Sequence, residues 1–205
     1  MTLEWLVADT TIALHRDAKG TPLRMPISKG IVQLIDQYVK PGDTTLETGA
    51  GLSTVAFIAK GARHTAIAPD QALGERIREF CRSRDLDVDN FSYYPQYSQD
   101  FLHSVVSEHT LCLIDGSHSF PEVFVDFFFI NPLLKVGGVL IVDDTWIWTG
   151  EILVKFLAVE PKWQLVYQDY KSAAFKKVCK TDKYNHFESQ RFVTSNSHNL
   201  ALNRG

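Results

Sequence analysis

The amino-acid sequence predicts an α/β fold with a doubly wound, mostly parallel sheet of seven strands, and three observations support this prediction. Runs of strand length alternate with helical patterns along most of the chain. A strand, a glycine-rich turn and a helix follow one another between Thr44 and Ala59, the order in which a nucleotide-binding sheet begins. The last two strand patterns lie close enough in sequence to form a C-terminal antiparallel hairpin.

Local patterns predict where each element begins and ends. Ser28 is an N-cap for the first long helix, which ends before Pro41-Gly42-Asp43. A capping box at Ser119 with a proline at position 121 starts another helix. Strands are predicted at residues 44–48, 64–68, 91–94, 111–114, 139–142, 164–167 and 173–178. Helices are predicted to begin at Ser28, Ser53 and Ser119 and to cover residues 71–84, 101–107 and 151–158.

Length and composition indicate one globular domain. The 205 residues are enough for a sheet covered on both faces, and 45% hydrophobic and 22% charged residues are ordinary for such a domain. We assign residues 1–180 to this domain, with residues 1–40 as N-terminal cap helices. Residues 181–205 form a polar tail that is either loosely packed or an arm ordered only by a partner subunit. The formal net charge of −3 provides no basic field, so we expect no nucleic-acid partner.

The N-terminal region and the cysteines bear on cellular location. Asp9, Arg16 and Asp17 interrupt the first apolar residues, so no signal peptide is predicted. No apolar run reaches transmembrane length, so no membrane partner is expected. The three cysteines are far apart in apolar settings, as buried thiols in a reducing compartment would be. We therefore expect a cytoplasmic protein, and the aromatic residues and the tail lead us to expect a homodimer.

The turn Gly49-Ala50-Gly51-Leu52 is suited to ligand binding. Its glycines let the backbone pass close to a ligand, and the following helix presents free N–H groups. Glu47 stands at the end of the preceding strand, where it can accept hydrogen bonds. A dinucleotide site would have glycine or alanine where Thr54 stands, which disfavours a dinucleotide oxidoreductase. A glycine turn that binds nothing is the structural alternative.

Polar residues gather after the predicted strands, at the edge where α/β sheets bind ligands. A sheet does not need such a collection for stability, because neighbouring carboxylates repel each other. These residues are Glu47, Asp70, Ser98-Gln99-Asp100, Asp115-Gly116-Ser117-His118 and Asp143-Asp144.

The region from Ser28 to Val178 resembles the class I methyltransferases that use S-adenosylmethionine (SAM), in particular the small O-methyltransferases of the catechol, caffeoyl-coenzyme A and macrocin types. The resemblance rests on a glutamate two residues before the glycine turn with Ser-Thr after it, on LIDGSH, on a Ser-Gln pair before an acid, and on LLKVGGVLIVDD, with Val136 where proline is usual. It implies a Rossmann-like methyltransferase fold and methyl transfer to a hydroxyl of a small molecule.

The resemblance also implies a set of SAM-binding residues. They are Glu47, Gly49, Gly51, Ser53, Thr54, Asp70 and Asp115, with Ser98 and Gln99 beside the adenine. One departure concerns the ribose: the family usually ends the second strand with an acid, and Ala68 stands in that place. Asp70, a water or a backbone group would have to replace it. Otherwise SAM binding would be weak, and a non-catalytic SAM-fold binding protein would be the better interpretation.

A divalent-metal site at Asp115, Asp143 and Asp144 follows from the same resemblance. Mg²⁺ or a similar cation held by these oxygens would lower the pKa of the acceptor hydroxyl and orient it. His118 and Asp115 form the implied catalytic pair, with His118 as a general base or as a metal ligand. The alternatives are carboxylates that cap a helix or order a loop, a histidine bonded to backbone, and a metal-independent N- or C-methyltransferase.

Several other histidines and tryptophans lie outside these motifs. His15, His64, His103 and His109 are expected to be ordinary surface or structural residues. Trp146 and Trp148 follow the paired aspartates and either wall an acceptor pocket or belong to the core or a dimer interface.

Overall fold

The computed structural model describes residues 2–180 and 186–197. Two short strands, β1 (His15–Arg16) and β2 (Pro22–Leu23), form a separate N-terminal hairpin. The main sheet contains β3 (Thr44–Thr48), β4 (Arg63–Ile67), β5 (Phe91–Tyr94), β6 (His109–Ile114), β7 (Leu134–Val142), β8 (Trp163–Gln168) and β9 (Ala173–Lys177).

Eight α-helices occur among the described residues. They are α1 (Trp5–Ala8), α2 (Lys29–Tyr38), α3 (Leu52–Ala59), α4 (Leu73–Arg82), α5 (Ser98–Phe101), α6 (Glu122–Leu133), α7 (Trp148–Val159) and α8 (Arg191–Asn196). Short 3-10 helices cover Leu102–Ser104 and Phe187–Ser189. In this part of the chain, no helix is both long and apolar enough to cross a bilayer.

The sheet order is β5-β4-β3-β6-β7-β9-β8. The first five of these strands are parallel, whereas β9 runs antiparallel to β7 and β8 antiparallel to β9. Val142 at the end of β7 therefore pairs with Ala173 at the start of β9. This confirms the predicted fold class: a mostly parallel seven-stranded sheet with a C-terminal antiparallel hairpin.

Helices cover both faces of the sheet and bury its central strands. One core contains Ile35 of α2 and Phe57 of α3, and the other contains Ile130 of α6 and Leu157 of α7. The run 111–114 of β6 is wholly apolar because its side chains enter both cores, as parallel strands require. Each leucine or isoleucine of this run contributes roughly 1.5–3 kcal/mol when fully buried.

Two predicted helix starts are wrong. The helix expected over residues 101–107 begins at Ser98 and ends in a 3-10 turn at Ser104, because Val106 lies exposed and gives a longer helix no apolar face to bury. The capping box at Ser119 does not form. Its hydroxyl donates to the Glu122 carboxylate, and α6 begins only at Glu122.

Part of the predicted loose tail packs on the domain. The N–H of Phe192 in α8 donates to Oε1 of Glu160, at 2.9 Å. The Phe192 ring also contacts the Phe156 ring of α7, with 5.9 Å between centroids. The rest of the tail, residues 181–185 and 198–205, lies outside the described residues.

Candidate active site

A cavity of about 690 Å³ opens at the carboxyl edge of the parallel strands, within the range of small-molecule sites. Turns from five strands line it, together with the N-terminal segment and the turn before β9. Its lining includes His15, Arg24–Ile27, Gly49–Ser53, Ala68–Asp70, Tyr97–Gln99, Asp115–His118, Asp143, Asp144 and Lys171.

The glycine turn packs directly on the turn after β6. Gly49 has a φ of +94°, and a Cβ there would lie 2.2 Å from the backbone oxygen of Asp115. Only glycine allows both this conformation and this approach. Gly51 is close to the N-terminal hairpin, since a Cβ on it would lie 3.0 Å from Nε2 of His15. Gly49, Gly51 and Ser53, which the resemblance assigns to SAM binding, all line the cavity.

Glu47 and Thr54 occupy a different position from the one predicted. Glu47 is fully buried and accepts hydrogen bonds from the Ser53 hydroxyl at 2.6 Å, from the Thr54 hydroxyl, and from Nε2 of His64 at 3.0 Å. The Thr54 hydroxyl accepts in turn from the N–H of Gly51, at 2.9 Å. Neither Glu47 nor Thr54 lines the cavity, and both lie behind the turn, where they support it.

Asp70 lines the cavity beside Ala68, where the family acid is missing. One of its oxygens is paired with Arg76 and the other accepts from the N–H of Ala72, at 3.0 Å. Burial alone would raise the pKa of Asp70, but these hydrogen bonds hold it below its ordinary value. The Tyr93 hydroxyl donates to the carbonyls of both Ala68 and Asp70, which fixes this bend. A charged carboxylate is therefore available at the cavity rim.

Ser98 and Gln99 line the cavity at the start of α5. Behind them lies Asp126 of α6, which is fully buried and whose two carboxylate oxygens have no hydrogen-bond partner. Burial raises the pKa of Asp126 to about 6, although the nearby Ser98 and Thr48 hydroxyls lower it in part. This carboxylate was not singled out by the sequence, because it lies within an apolar helix rather than at a strand end.

Asp115, His118 and Asp144 form a cluster whose ligand atoms all lie within 4.8 Å of one another. Nε2 of His118 is 3.1 Å from Oδ2 of Asp144 and 3.8 Å from Oδ1 of Asp115. Burial, followed by the charges of Asp143 and Glu47, raises the pKa of Asp115 well above its usual range. Two carboxylates and one imidazole at these separations are a donor set that fits a divalent cation.

Asp143, which the sequence predicts as a metal ligand with Asp115 and Asp144, lies outside this cluster. His118 stands in its place in the group of possible ligands. One Asp143 oxygen accepts from the Ser172 hydroxyl at 2.6 Å, and the other lies 3.2 Å from Nζ of Lys171. The physical reason is the backbone: β7 ends at Val142, and Asp144 has a left-handed φ of +48°. The two consecutive carboxylates therefore reach different partners.

Lys171 is the main site residue that the sequence reasoning missed. Its Nζ lies beside both Asp143 and Asp144, at 3.2 and 3.6 Å. Partial burial would lower the pKa of Lys171, but the two carboxylates more than offset this, so the pKa is raised. The missed signal was topological. Because β9 is antiparallel, the residues before it, not after it, reach the ligand-binding edge.

His15 and Trp146 also differ in part from expectation. His15 lines the cavity rather than lying on an unrelated surface. The indole Nε1 of Trp146 donates to Oδ1 of Asp144 at 3.0 Å, and Trp146 and Trp148 are both exposed. Neither tryptophan is a core residue. Of the other three histidines expected to be surface or structural residues, His64 and His109 are buried and His103 is exposed.

Residues 46–145, just under half of the chain, match the family model described as a methyltransferase domain. The comparison with curated protein sequences gave no significant match. Among solved structures, a Clostridium thermocellum protein described as an rRNA methylase is 16% identical, with a TM-score of 0.61, over 77% of this chain and 100% of that one. A Staphylococcus aureus protein described as a caffeoyl-CoA O-methyltransferase is 14% identical, with a TM-score of 0.62, over 76% and 86%.

A third similar structure was determined with S-adenosylhomocysteine (SAH) bound. This Streptococcus mutans protein, described as a methyltransferase, is 12% identical, with a TM-score of 0.58, over 74% of this chain and 99% of that one. At such identities the likeness shows a shared fold. The family match, to a methyltransferase domain, agrees with this shared fold.

The expectation that nucleic acid is excluded as a partner is wrong. Proteins described as rRNA methylases have the same fold, including the Clostridium thermocellum protein and one from Streptococcus thermophilus. The formal net charge of −3 describes the whole chain and says nothing about the charge near one cavity. Overall charge therefore does not rule out a nucleic-acid substrate.

Proposed function

We propose that this chain, which carries a methyltransferase domain with the class I fold, transfers a methyl group from SAM to a hydroxyl of a small molecule with the help of a divalent cation. One observation carries the proposal. The glycine turn, the Ser98-Gln99 segment and the Asp115–His118–Asp144 cluster line a single cavity. A cofactor and an acceptor can thus meet inside it.

The cofactor half would use the turns after β3, β4 and β5. Backbone groups at Gly49, Gly51 and Ser53 would face the methionine part of SAM, because side chains are absent or small there. Asp70 would accept from the ribose hydroxyls with whichever lone pairs Arg76 leaves free. Ser98 and Gln99 would border the adenine.

The acceptor half would use the Asp115–His118–Asp144 cluster. Asp115 Oδ1, His118 Nε2 and Asp144 Oδ2 fit a divalent cation as three ligands, and an imidazole among them favours a transition metal over Mg²⁺. Such a cation lowers the pKa of a bound hydroxyl and orients it. Without a cation, the same Nε2 of His118 would accept the hydroxyl proton, since one atom cannot do both.

The protein's own contribution to the reaction is alignment. Methyl transfer is an in-line displacement, so the acceptor oxygen must approach the methyl group opposite the departing sulfur. Holding the two reactants in that geometry supplies much of the rate enhancement. The glycine turn of the cofactor half contacts the Asp115–His118–Asp144 cluster of the acceptor half, because Gly49 packs on Asp115. This contact links the two halves of the cavity.

The test is a two-step measurement on the full chain. Calorimetry should show that SAM binds and that NADH, the control, does not. Methyl transfer from labelled SAM is then measured against a panel of hydroxylated small molecules and total RNA, with and without EDTA. We expect labelling of small molecules that EDTA abolishes. No SAM binding would overturn the proposal. Labelling of RNA alone would show that the acceptor is RNA and not a small molecule. Methyl transfer that resists EDTA would show that the reaction does not need a cation.

A non-catalytic SAM-fold protein that binds another ligand or a partner is the second candidate, favoured by one observation. Ala68 stands where the ribose acid is expected, and Asp70 is already paired with Arg76. This candidate predicts weak or absent SAM binding and no methyl transfer to any member of the panel, RNA included.

A further inference from the structure

We propose that Lys171 is a positioning residue that supplies a fixed positive charge to the carboxylate cluster and thereby limits how tightly the cluster binds a divalent cation. The inference rests on the proposed function, because the cluster is the one assigned to the cation there. It concerns a residue outside the ligand set, on the turn between β8 and β9.

The turn that carries Lys171 is rigidly built. Oδ1 of Asp169 accepts from the N–H groups of Lys171 and Ser172, at 2.9 and 2.7 Å. Oδ2 of Asp169 accepts from the Tyr167 hydroxyl, at 2.6 Å. The carbonyl of Lys171 accepts from the N–H of Thr145, at 2.8 Å, which ties this turn to the loop carrying Asp143 and Asp144. The position of the Lys171 backbone is therefore determined by the fold.

The Lys171 ammonium lies between two carboxylates. Nζ is 3.2 Å from Oδ2 of Asp143 and 3.6 Å from Oδ1 of Asp144. The lysine side chain keeps only 25% of its surface exposed, so water screens these contacts incompletely. One ammonium thus offsets the mutual repulsion of two adjacent acids.

The two oxygens of Asp144 have separate partners. Oδ1 accepts from the Trp146 indole at 3.0 Å and faces Lys171, whereas Oδ2 faces His118 at 3.1 Å. A cation bound by Asp115, His118 and Asp144 would therefore approach through Oδ2, on the same carboxylate that pairs with Lys171. Two positive charges sharing one carboxylate repel each other, and this repulsion weakens cation binding.

The physical consequence is a cluster that is assembled before any cation arrives. Lys171 offsets the repulsion between Asp143 and Asp144, so this repulsion does not have to be relieved by a metal. The same charge weakens cation binding, so that a bound cation exchanges more readily. Removing the charge should strengthen cation binding, because the Ser172 hydroxyl still donates to Asp143 and the Trp146 indole still donates to Asp144.

The experiment measures Mn²⁺ binding by electron paramagnetic resonance on the full chain, with Mn²⁺ alone as the probe. We expect Lys171→Met to bind Mn²⁺ about tenfold more tightly than the unchanged protein. Lys171→Arg keeps the charge and should stay within about threefold. Lys155→Met removes a matched positive charge from the exposed Lys155–Glu151 pair on α7 and should change nothing. SAM binding and thermal unfolding of each variant report whether the fold is intact.

Each outcome decides the inference. Tighter Mn²⁺ binding in Lys171→Met, with Lys171→Arg and Lys155→Met unchanged, supports it. If the unchanged protein binds Mn²⁺ and Lys171→Met binds it equally or more weakly, the inference is wrong while the proposed cation remains. If neither protein binds Mn²⁺, the proposed function no longer includes a cation, and the inference about Lys171 is wrong as well. A Lys171→Met protein that does not fold leaves Lys171→Gln and Lys171→Arg, whose difference in Mn²⁺ affinity must then follow the charge.

Discussion

Nε2 of His64 on β4 lies 3.0 Å from Oε1 of Glu47 on β3, and neither side chain has any exposed surface. Nδ1 of the same imidazole pairs with the Thr45 hydroxyl at 2.8 Å, which fixes the ring. The Glu47 carboxylate also accepts from Ser53 and Thr54 at the start of α3. The glycine turn between β3 and α3 is therefore shaped by a buried carboxylate that does not itself reach the cavity.

Glu47→Gln should destabilise the protein and weaken SAM binding together. Glutamine keeps the shape of the side chain but replaces one accepting oxygen by a donor, which leaves buried groups unpaired. We expect the free energy of unfolding in urea to fall by about 3 kcal/mol. The control is Glu151→Gln, which loses only a solvent-facing pair with Lys155 and should cost about 0.5 kcal/mol or less. Equal losses in both variants would show that the Glu47 network contributes little.

Gly49→Ala should abolish cofactor binding, whereas Gly42→Ala should not. Both glycines have positive φ values, +94° and +83°, so each alanine pays a backbone cost of about 1–2 kcal/mol. Only at Gly49 would the new Cβ also meet a neighbour, the backbone oxygen of Asp115, because Gly42 faces open space. Calorimetry with SAM checks the pair. Similar SAM affinities in both variants would mean that the contact between the two turns is not needed.

Asp126→Asn should change how stability depends on pH. Burial raises the pKa of Asp126 to about 6, so the folded protein holds this proton more tightly than the unfolded chain, whose value is near 3.8. The stability that the protonated group contributes is full below pH 4 and is lost as the pH rises through 6. Asparagine does not ionise, so the variant avoids this loss.

Urea unfolding between pH 4 and pH 7 tests this expectation. The stability of Asp126→Asn relative to the unchanged protein should rise by about 2 to 3 kcal/mol across that interval. Asp100→Asn, at an exposed acid of α5, serves as the control and should give a flat difference. A flat difference for Asp126→Asn as well would show that its carboxylate is not ionised at a cost in the folded protein.

His118→Ala should lower the rate of methyl transfer without affecting SAM binding. Nε2 of His118 faces Asp115 and Asp144 rather than the glycine turn, so its loss removes chemistry from the acceptor half only. We expect the rate to fall by about 10²–10⁴-fold. His103→Ala, at the exposed 3-10 turn, should leave the rate unchanged.

Mn²⁺ binding by His118→Ala separates the two roles of His118. A ligand predicts weaker Mn²⁺ binding along with the slower reaction, and a proton acceptor predicts unchanged Mn²⁺ binding. An unchanged rate of methyl transfer would contradict both roles.

Predictions from periodicity succeeded where a residue's surroundings depend on its own segment. The bounds of β3 and β5 and the N-cap at Ser28 agree with the structure, because alternation, apolar runs and capping act over a few residues. The helix expected at residues 101–107 failed because its apolar residues were assumed to be buried, and Val106 is not. Burial is decided by distant parts of the chain.

The sequence by itself determined the α/β class, the glycine turn and the set of polar residues at the strand ends, because each is written in local spacing. Only the tertiary structure decided which partners those residues contact. In the structure, Glu47 lies behind the turn, and Asp143 and Asp144 have different partners. Lys171, from the last hairpin, lies beside both aspartates. The physical reason is that side-chain partners are chosen by distance in space, and strand direction brings together residues that sequence order keeps apart.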